Sequence, residues 1–241
     1  MPDLISDPLS RPPSMPERIA ADISERITAN GLEVLDKLPS ITALADQYGV
    51  SKPMMREAAR LLQAGGKIVF HHGKPCVVGS PGAEQLDDLF GFVLGQKRTD
   101  LMELQALREV LEIAAARAAA SVATAAEHAD LREHLDRYLA VPVPGDALHA
   151  ADIALHAAVM RAGGNRLFAM LLDGITGLLQ VSRREAWAQY ESEGGTLALA
   201  HERHQRIVDT ICDGDPEAAA QAMLDDLTDT RDALTVLIRP S

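Results

Sequence analysis

The chain has 241 residues, enough for one large domain or two ordinary ones, and 47% of them are hydrophobic, which excludes disorder as the default. Aromatic residues make up only 3%, which argues against a sheet sandwich and for helices closed by alanine and aliphatic side chains. The net charge of −12 is uneven: residues 1–80 hold nine acidic and nine basic side chains, and subtraction from the totals of 35 and 23 leaves 26 and 14 for residues 81–241. An acidic whole disfavours indiscriminate nucleic-acid binding, yet a small neutral module can still present a basic face.

The first segment, MPDLISDPLSRPPSMPE, has acid and proline where a secretory signal needs a basic start and an apolar run, so residues 1–16 read as a flexible arm. PERIAADISERITAN follows, with Ile19, Ile23 and Ile27 at four-residue spacing and a stop at Gly31. A short second helix fits Ser40 to Tyr48, capped by Ser40 and broken at Gly49. A third starts after Ser51 and turns Met55, Ala58, Ala59 and Leu62 to the same core before Gly65-Gly66. KIVFHHGKPCVV then reads as two short strands about a turn at His72, Gly73 and Lys74. Helix, helix, tight turn, helix and hairpin is the order of a winged helix-turn-helix, predicted over residues 17–79.

Residues 80–99 read as a connection with a helix in AEQLDDLFGFVL, and residues 100–238 as one helical domain. Its segments are DLMELQALREVLEIAAARAAASVATAA, AEHADLREHLDRYLA, DALHAADIALHAAVMRAG, NRLFAMLLDGITGLLQVSRREAWAQY, LALAHERHQRIVDTICDG and DPEAAAQAMLDDLTDTRDALTVLI. VPVPG, GG and EGG punctuate them, and Asp215-Pro216 offers a cap and a helix-compatible proline. The expected fold class is therefore mainly α, a winged helix-turn-helix with a small hairpin wing followed by an antiparallel bundle of six to seven helices. No apolar run reaches eighteen residues, so no membrane partner is expected, and Cys76 and Cys212 are too far apart in sequence for a metal knuckle or disulfide scaffold. A cytoplasmic setting is expected.

LPSITALADQYGVSKPMMREAARLLQAGGKIVFHHGKPCVV resembles the winged-helix signature of the GntR transcription regulators. LMELQALREVLEIAAARAAA, the DIALH pair, AGGN at 162–165 and HERHQRIVDTICDGDPEAAAQAMLDDL resemble the C-terminal ligand-sensing domain of their FadR-like branch, the FCD type. The likeness spans residues 17–237, in two independent regions and in the right order. It implies a homodimer that binds a double-stranded operator of twofold symmetry, often as a repressor, and whose DNA affinity changes when a small carboxylate-containing metabolite enters the helical domain.

Ser51, Lys52 and Arg56 match the family's DNA-contacting positions at the start of the third helix, where side chains reach base edges, and Arg60 follows one turn later. Lys52 stands where the family commonly has arginine, which turns a bidentate contact into a point charge. The resemblance also shows a departure: three charged family positions are Ile41, Thr42 and Ala43 here, so Thr42 offers phosphate a hydroxyl without charge, and Ala43 cannot close a capping box with Ser40. Fewer cationic contacts predict a shallower salt dependence. In the wing, His71, His72, Gly73 and Lys74 are candidate contacts or ordinary surface.

Asp152 and His156 lie four residues apart on one helix face, a spacing that by itself allows a satisfied polar pair in a core. The resemblance adds His204 and Asp226, which with them match the Asp, His, His, His set that holds a divalent metal in many FCD domains. Asp226 replaces the last histidine. The set suits zinc, nickel, manganese or iron, and the added carboxylate tilts it toward manganese or iron. The same four residues are candidate effector contacts, as is Arg108, which is placed either to pair with Glu112 or to clamp an effector carboxylate. Asp225 and His201 are nearby competitors, and a metal-free polar pocket is the other reading of the cluster. An enzyme using these groups to activate water has no nucleophile motif, phosphate loop or dinucleotide fingerprint beside it. A dimerisation scaffold with weakened DNA binding is the remaining alternative.

Overall fold

Glu17 starts the fold by accepting the Ser14 backbone N–H on Oε2 at 2.6 Å, at the head of α1 (Met15–Ala29). The computed structural model describes residues 12–70, 76–80, 82–94 and 98–238. Two compact units divide the chain, residues 1–85 and residues 86–241.

In the first unit α1 is followed by α2 (Ile41–Tyr48), α3 (Lys52–Ala64), β1 (Ile68–Val69) and β2 (Val77–Val78). Ser40 Oγ accepts the Ala43 N–H at 3.2 Å, but alanine returns nothing, so α2 begins on half a box. Gly49, at φ 63°, takes the left-handed conformation that ends α2 and turns the chain into α3. Ile19 and Ile23 of α1, Leu44 and Ala45 of α2, and Met55, Ala58, Ala59 and Leu62 of α3 close one core with Ile68 and Cys76. The hairpin pairs Ile68 with Val78 and Val69 with Val77. Residues 35–38 add to it: Leu38 N–H donates to the Cys76 carbonyl at 2.8 Å, and Val78 N–H to the Asp36 carbonyl at 2.9 Å. The wing sheet thus gains a third short segment that the polar, irregular run around Asp36 did not announce.

The second unit contains most of α4 (Ala83–Val93), then α5 (Arg98–Val122), α6 (Ala125–Leu139), α7 (Asp146–Ala162), α8 (Arg166–Gly174), α9 (Thr176–Ser192), α10 (Leu197–Cys212) and α11 (Pro216–Ile238). Several of these helix starts are chemically marked. Thr124 and Glu127 exchange bonds of 3.3 and 2.7 Å at α6, Asn165 Oδ1 accepts the Leu167 N–H at 3.1 Å at α8, and Asp215 Oδ1 accepts the Ala218 N–H at 3.0 Å at α11. The seven helices α5 to α11 form the bundle.

NRLFAMLLDGITGLLQVSRREAWAQY, read from sequence as one helix, is two. The break falls at Ile175, which ends α8 and begins α9. A side chain at Gly174 would collide with Leu86 of α4, and the Leu172 carbonyl accepts both the Ile175 N–H and the Thr176 hydroxyl, each at 3.1 Å. In the middle of the bundle α5 packs on α7, α10 and α11 through Ala115, Ala116 and Ala119, all fully buried. Small side chains there let backbones approach. Backbone meets backbone at Gly163, where an added Cβ would sit 2.9 Å from the Ala115 carbonyl oxygen and 3.1 Å from its Cα.

That contact is backbone against backbone and has no flexible atom to give way. Gly163→Ala is therefore expected to destabilise the helical unit by about 1–3 kcal/mol, as overpacking does. Urea unfolding followed by circular dichroism checks it, and a neutral or stabilising result would contradict the close packing.

Candidate functional site

The second unit carries an unusual load of buried charge: Arg108 and Glu112 on α5, Asp152 and His156 on α7, Arg183 on α9, His204 on α10 and Asp226 on α11 are each no more than 8% exposed. Buried ionic groups persist only when paired or when they hold something. Arg108 Nε donates to Glu112 Oε1 at 2.7 Å, and the Arg108 Nη1 donates to Gln105 Oε1 at 3.1 Å. The other Glu112 oxygen accepts the Nδ1–H of His156 in a short bond. On the opposite wall His204 Nδ1–H donates to the Ala200 carbonyl at 2.8 Å. Both imidazoles consequently commit Nδ1 as donor and turn Nε2 toward the same point.

What meets at that point is a set of acceptors. His156 Nε2 lies 3.3 Å from His204 Nε2, and His204 Nε2 lies 2.7 Å from Asp152 Oδ1. Asp152, His156 and His204 each offer one donor atom, all within 4.8 Å of one another. Asp226 Oδ2 stands 3.5 Å from His156 Nε2 but outside that group. A carboxylate is shorter than the imidazole expected there from the resemblance. Asp225 faces away, its oxygens taken by Gln221 at 2.7 Å and Arg206 at 3.0 Å. His201 stacks edge-on against Tyr138, with centroids 5.3 Å apart, and stays out of the cluster.

The protonation states follow from these partners. Burial alone would strip His156 of its proton, but Glu112 and then Asp226 outweigh it and raise it to about 9. Burial lowers His204 to about 4, against the pull of Asp226. Burial would raise Glu112, yet the Arg108 guanidinium and the His156 ring hold it at about 2. Asp226 is likewise driven down, because the two imidazoles and Arg183 more than reverse the effect of burial. A proton on His156 Nε2 then faces three acceptors, His204 Nε2, Asp152 Oδ1 and Asp226 Oδ2. It can lie between the two rings, and the 2.7 Å contact of His204 Nε2 with Asp152 is left with none. Donors about 2.0–2.2 Å from one divalent ion stand about 3.0–3.5 Å apart, and the three pairs here, at 2.7, 3.3 and 3.7 Å, bracket that spacing.

Beside the cluster lies a cavity of about 70 Å³, lined among others by Asp152, His204, Asp226, Arg183, Trp187 and Thr230. Arg183 was not among the candidates that sequence suggested. It touches Asp152 Oδ2 through Nη1, while burial, assisted by the charge of Arg108, pushes its guanidinium down to about 9. Glu112 was legible only as a partner for Arg108, and nothing in the sequence marked it as the orienting partner of His156. Arg108, expected either as that pair or as an effector clamp, takes the pairing role and is absent from the cavity lining.

In the first unit Ser51, Lys52, Arg56 and Arg60 lie exposed at the start and along the outer face of α3, and Thr42 is exposed on α2. Ser51 Oγ accepts the Met54 N–H at 3.4 Å, which leaves its hydroxyl proton free to donate. Arg60 is bound to Glu57 at 3.1 Å, whereas no ion pair is seen for Arg56 among the described residues. His71, His72, Gly73 and Lys74 lie outside the described residues.

Comparison with known proteins agrees with this arrangement. Residues 16–78 match the bacterial regulatory proteins of the gntR family, and residues 103–229 match the FCD domain. The chain is 30% identical over 203 residues to the HTH-type transcriptional regulator LutR of Bacillus subtilis (strain 168), covering 83% of this chain and 92% of that one. This chain belongs to the GntR family, in its FadR-like branch. This GntR regulator is also 25% identical over 212 residues to the galactonate operon transcriptional repressor of Escherichia coli (strain K12), with 86% and 91% of the two chains covered. It is 23% identical over 218 residues to the putative L-lactate dehydrogenase operon regulatory protein of the same organism, with coverages of 87% and 84%. A Streptococcus agalactiae GntR structure shares its fold, with a TM-score of 0.66, 24% identity and coverage of 90% and 100%. The protein is therefore a DNA-binding transcription regulator of the metabolite-responsive kind and not an enzyme. No helix among its described residues is long and apolar enough to cross a membrane.

Arg56 is an exposed arginine of α3 without the intrahelical pairing of Arg60, so Arg56→Ala is expected to weaken operator binding by about 1–3 kcal/mol and to lower the salt slope by about one. Gel shift of the regulator's own promoter region at several salt concentrations measures both, and an unchanged slope would remove Arg56 from the contact set.

Proposed function

We propose that this GntR regulator is a repressor released by a small organic acid, and that a divalent ion held by Asp152, His156 and His204 is part of its sensor. The observation that carries the reading is the meeting of one donor atom each from Asp152, His156 and His204 within 4.8 Å of one another, all three residues buried. Two imidazoles and one carboxylate on one side of an ion leave positions open for a ligand, a pattern that suits iron or manganese. Asp226 contributes charge at the edge of the site and favours these harder ions further. Glu112 fixes the His156 ring and increases its basicity, in the manner of carboxylates behind metal-bound histidines. The ion supplies a Lewis-acid centre to which an acid's oxygen can bind, and the cavity beside it supplies the room.

Relatives named for an L-lactate dehydrogenase operon and for a galactonate operon support a hydroxy acid as the class of effector. The DNA face is the exposed row Ser51, Lys52 and Arg56, aided by Thr42 and Arg60, and the proposed contacts extend to His71, His72, Gly73 and Lys74. A homodimer on an operator of twofold symmetry is part of the reading. Its support within the second unit is the outer face of α4, where Leu89, Phe92 and Val93 stand uncovered, Phe92 at 87% exposure.

Elemental analysis of untagged protein tests the ion, with about one equivalent expected in wild type and little in His156→Ala. Low content in both would refute the metal sensor. Glu112→Gln is expected to keep the fold and weaken ion binding by about 10–100-fold, measured by competition with a coloured chelator.

A further inference from the structure

The cavity beside the donor cluster contains a second feature that the ion does not use. Arg183 is 8% exposed, and its Nε and Nη2 have no hydrogen-bond partner. The indole Nε1 of Trp187, one helical turn further along α9, is also buried and unpartnered. Both side chains line the cavity. One edge of the guanidinium is spent on Asp152 through Nη1. The other edge presents two parallel N–H groups, the arrangement that receives both oxygens of a carboxylate. The unpartnered buried atoms of Arg183 and Trp187 are thus all donors, so the occupant that fits them is rich in acceptors. Leaving such donors unpaired is costly, and solvating them in a space of about 70 Å³ is the work of a small ligand or a few waters.

Charge limits what that ligand can be. Arg108 balances Glu112 and Arg183 balances Asp152, each pair in contact. At the rim Arg203 balances Asp229, with Nε and Oδ2 2.7 Å apart. With His156 neutral as a ligand of the ion, Asp226 is left over with one negative charge. Adding a divalent ion overbalances the buried set by one positive charge. We infer that Arg183 and Trp187 form the effector's anion-binding subsite, and that the ion-loaded cavity selects a small acid carrying one negative charge over one carrying two. This rests on the ion proposed above for its charge limit, but the Arg183 anchor stands on the free guanidinium edge alone.

The test uses full-length protein, as purified and reloaded with manganese, with ion content measured for every variant. Lactate, butyrate and gluconate serve as monoanions, and malonate and succinate as dianions, with thermal shift and calorimetry as readouts. At least one monoanion is expected to stabilise the wild type and to bind about tenfold or more tightly than either dianion. Arg183→Lys keeps a cation near Asp152 but loses the fork, and is expected to lose about tenfold or more in monoanion affinity while retaining its ion. Trp187→Phe is expected to lose affinity to a smaller degree. Asp226→Asn removes the left-over charge, so the preference for one charge over two should shrink or reverse. Equal affinity of Arg183→Lys and wild type would overturn the anchor, and so would no response to any of the five acids. A dianion preference in wild type, or no change in Asp226→Asn, would overturn the charge limit. Protein that holds no ion yet still binds an acid in an Arg183-dependent way would refute the metal reading and leave the anchor standing.

Discussion

The bond from Glu112 to His156 is the contact on which the rest of the sensor domain depends. Its two residues come from α5 and α7, both at most 1% exposed, and each is charged or polar enough to be expelled from a core if left alone. Arg108 stabilises Glu112 from behind, and Glu112 in turn fixes which nitrogen of His156 faces inward. A polar chain of this kind constrains a bundle more narrowly than apolar packing does, because a shifted register leaves every member unpaired. The place of His156 Nε2 in the cluster is inherited from that chain. His204 is set independently, through its own helix backbone, so the two rings meet without sharing a support.

Much of this was legible in the sequence, and for identifiable reasons. Ile19, Ile23 and Ile27, or Met55, Ala58, Ala59 and Leu62, repeat with the period of a helix and declare a buried face. Capping residues such as Asn165 and Asp215 announce helix starts through side chains that act within a few residues. Asp152, His156 and His204 were found because their types, at matching positions, carry a chemistry that a family shares. What escaped depends on distance in the chain. The α8–α9 break lies beside Gly174, whose missing side chain makes room for Leu86, nearly ninety residues earlier. Arg183 sits in VSRREAW among ordinary helix-surface residues, and only the fold shows that it is buried while Arg184 beside it is exposed. Asp225 and Asp226 are chemically identical neighbours, and a rotation of 100° along α11 decides which one faces the imidazoles.

The DNA-binding unit shows the complementary case, in which local chemistry sets the limits. Ala43 cannot return the capping bond that Ser40 offers, and α2 presents Thr42 where a longer charged side chain would reach phosphate. The burden of contact therefore moves to α3, whose outer face is exposed because its inner face, Met55 to Leu62, is fully committed to the core. Arg60 spends part of its charge on Glu57. Affinity in such a unit depends on few cations, each of which counts.

The meeting of Gly163 with Ala115 has a mechanical meaning beyond packing. Two helices separated by side chains can slide as those side chains change rotamer, but backbone resting on backbone has no such slack. Ala115 lies one turn from Glu112, and Gly163 two turns from His156, so the α5–α7 wall is stiff where the polar chain crosses it. Adjustment to a bound acid is then expected in the other wall, on α9 beyond its break at Ile175, where Arg183 is carried. A sensor built this way has one jaw that is fixed and one that can yield.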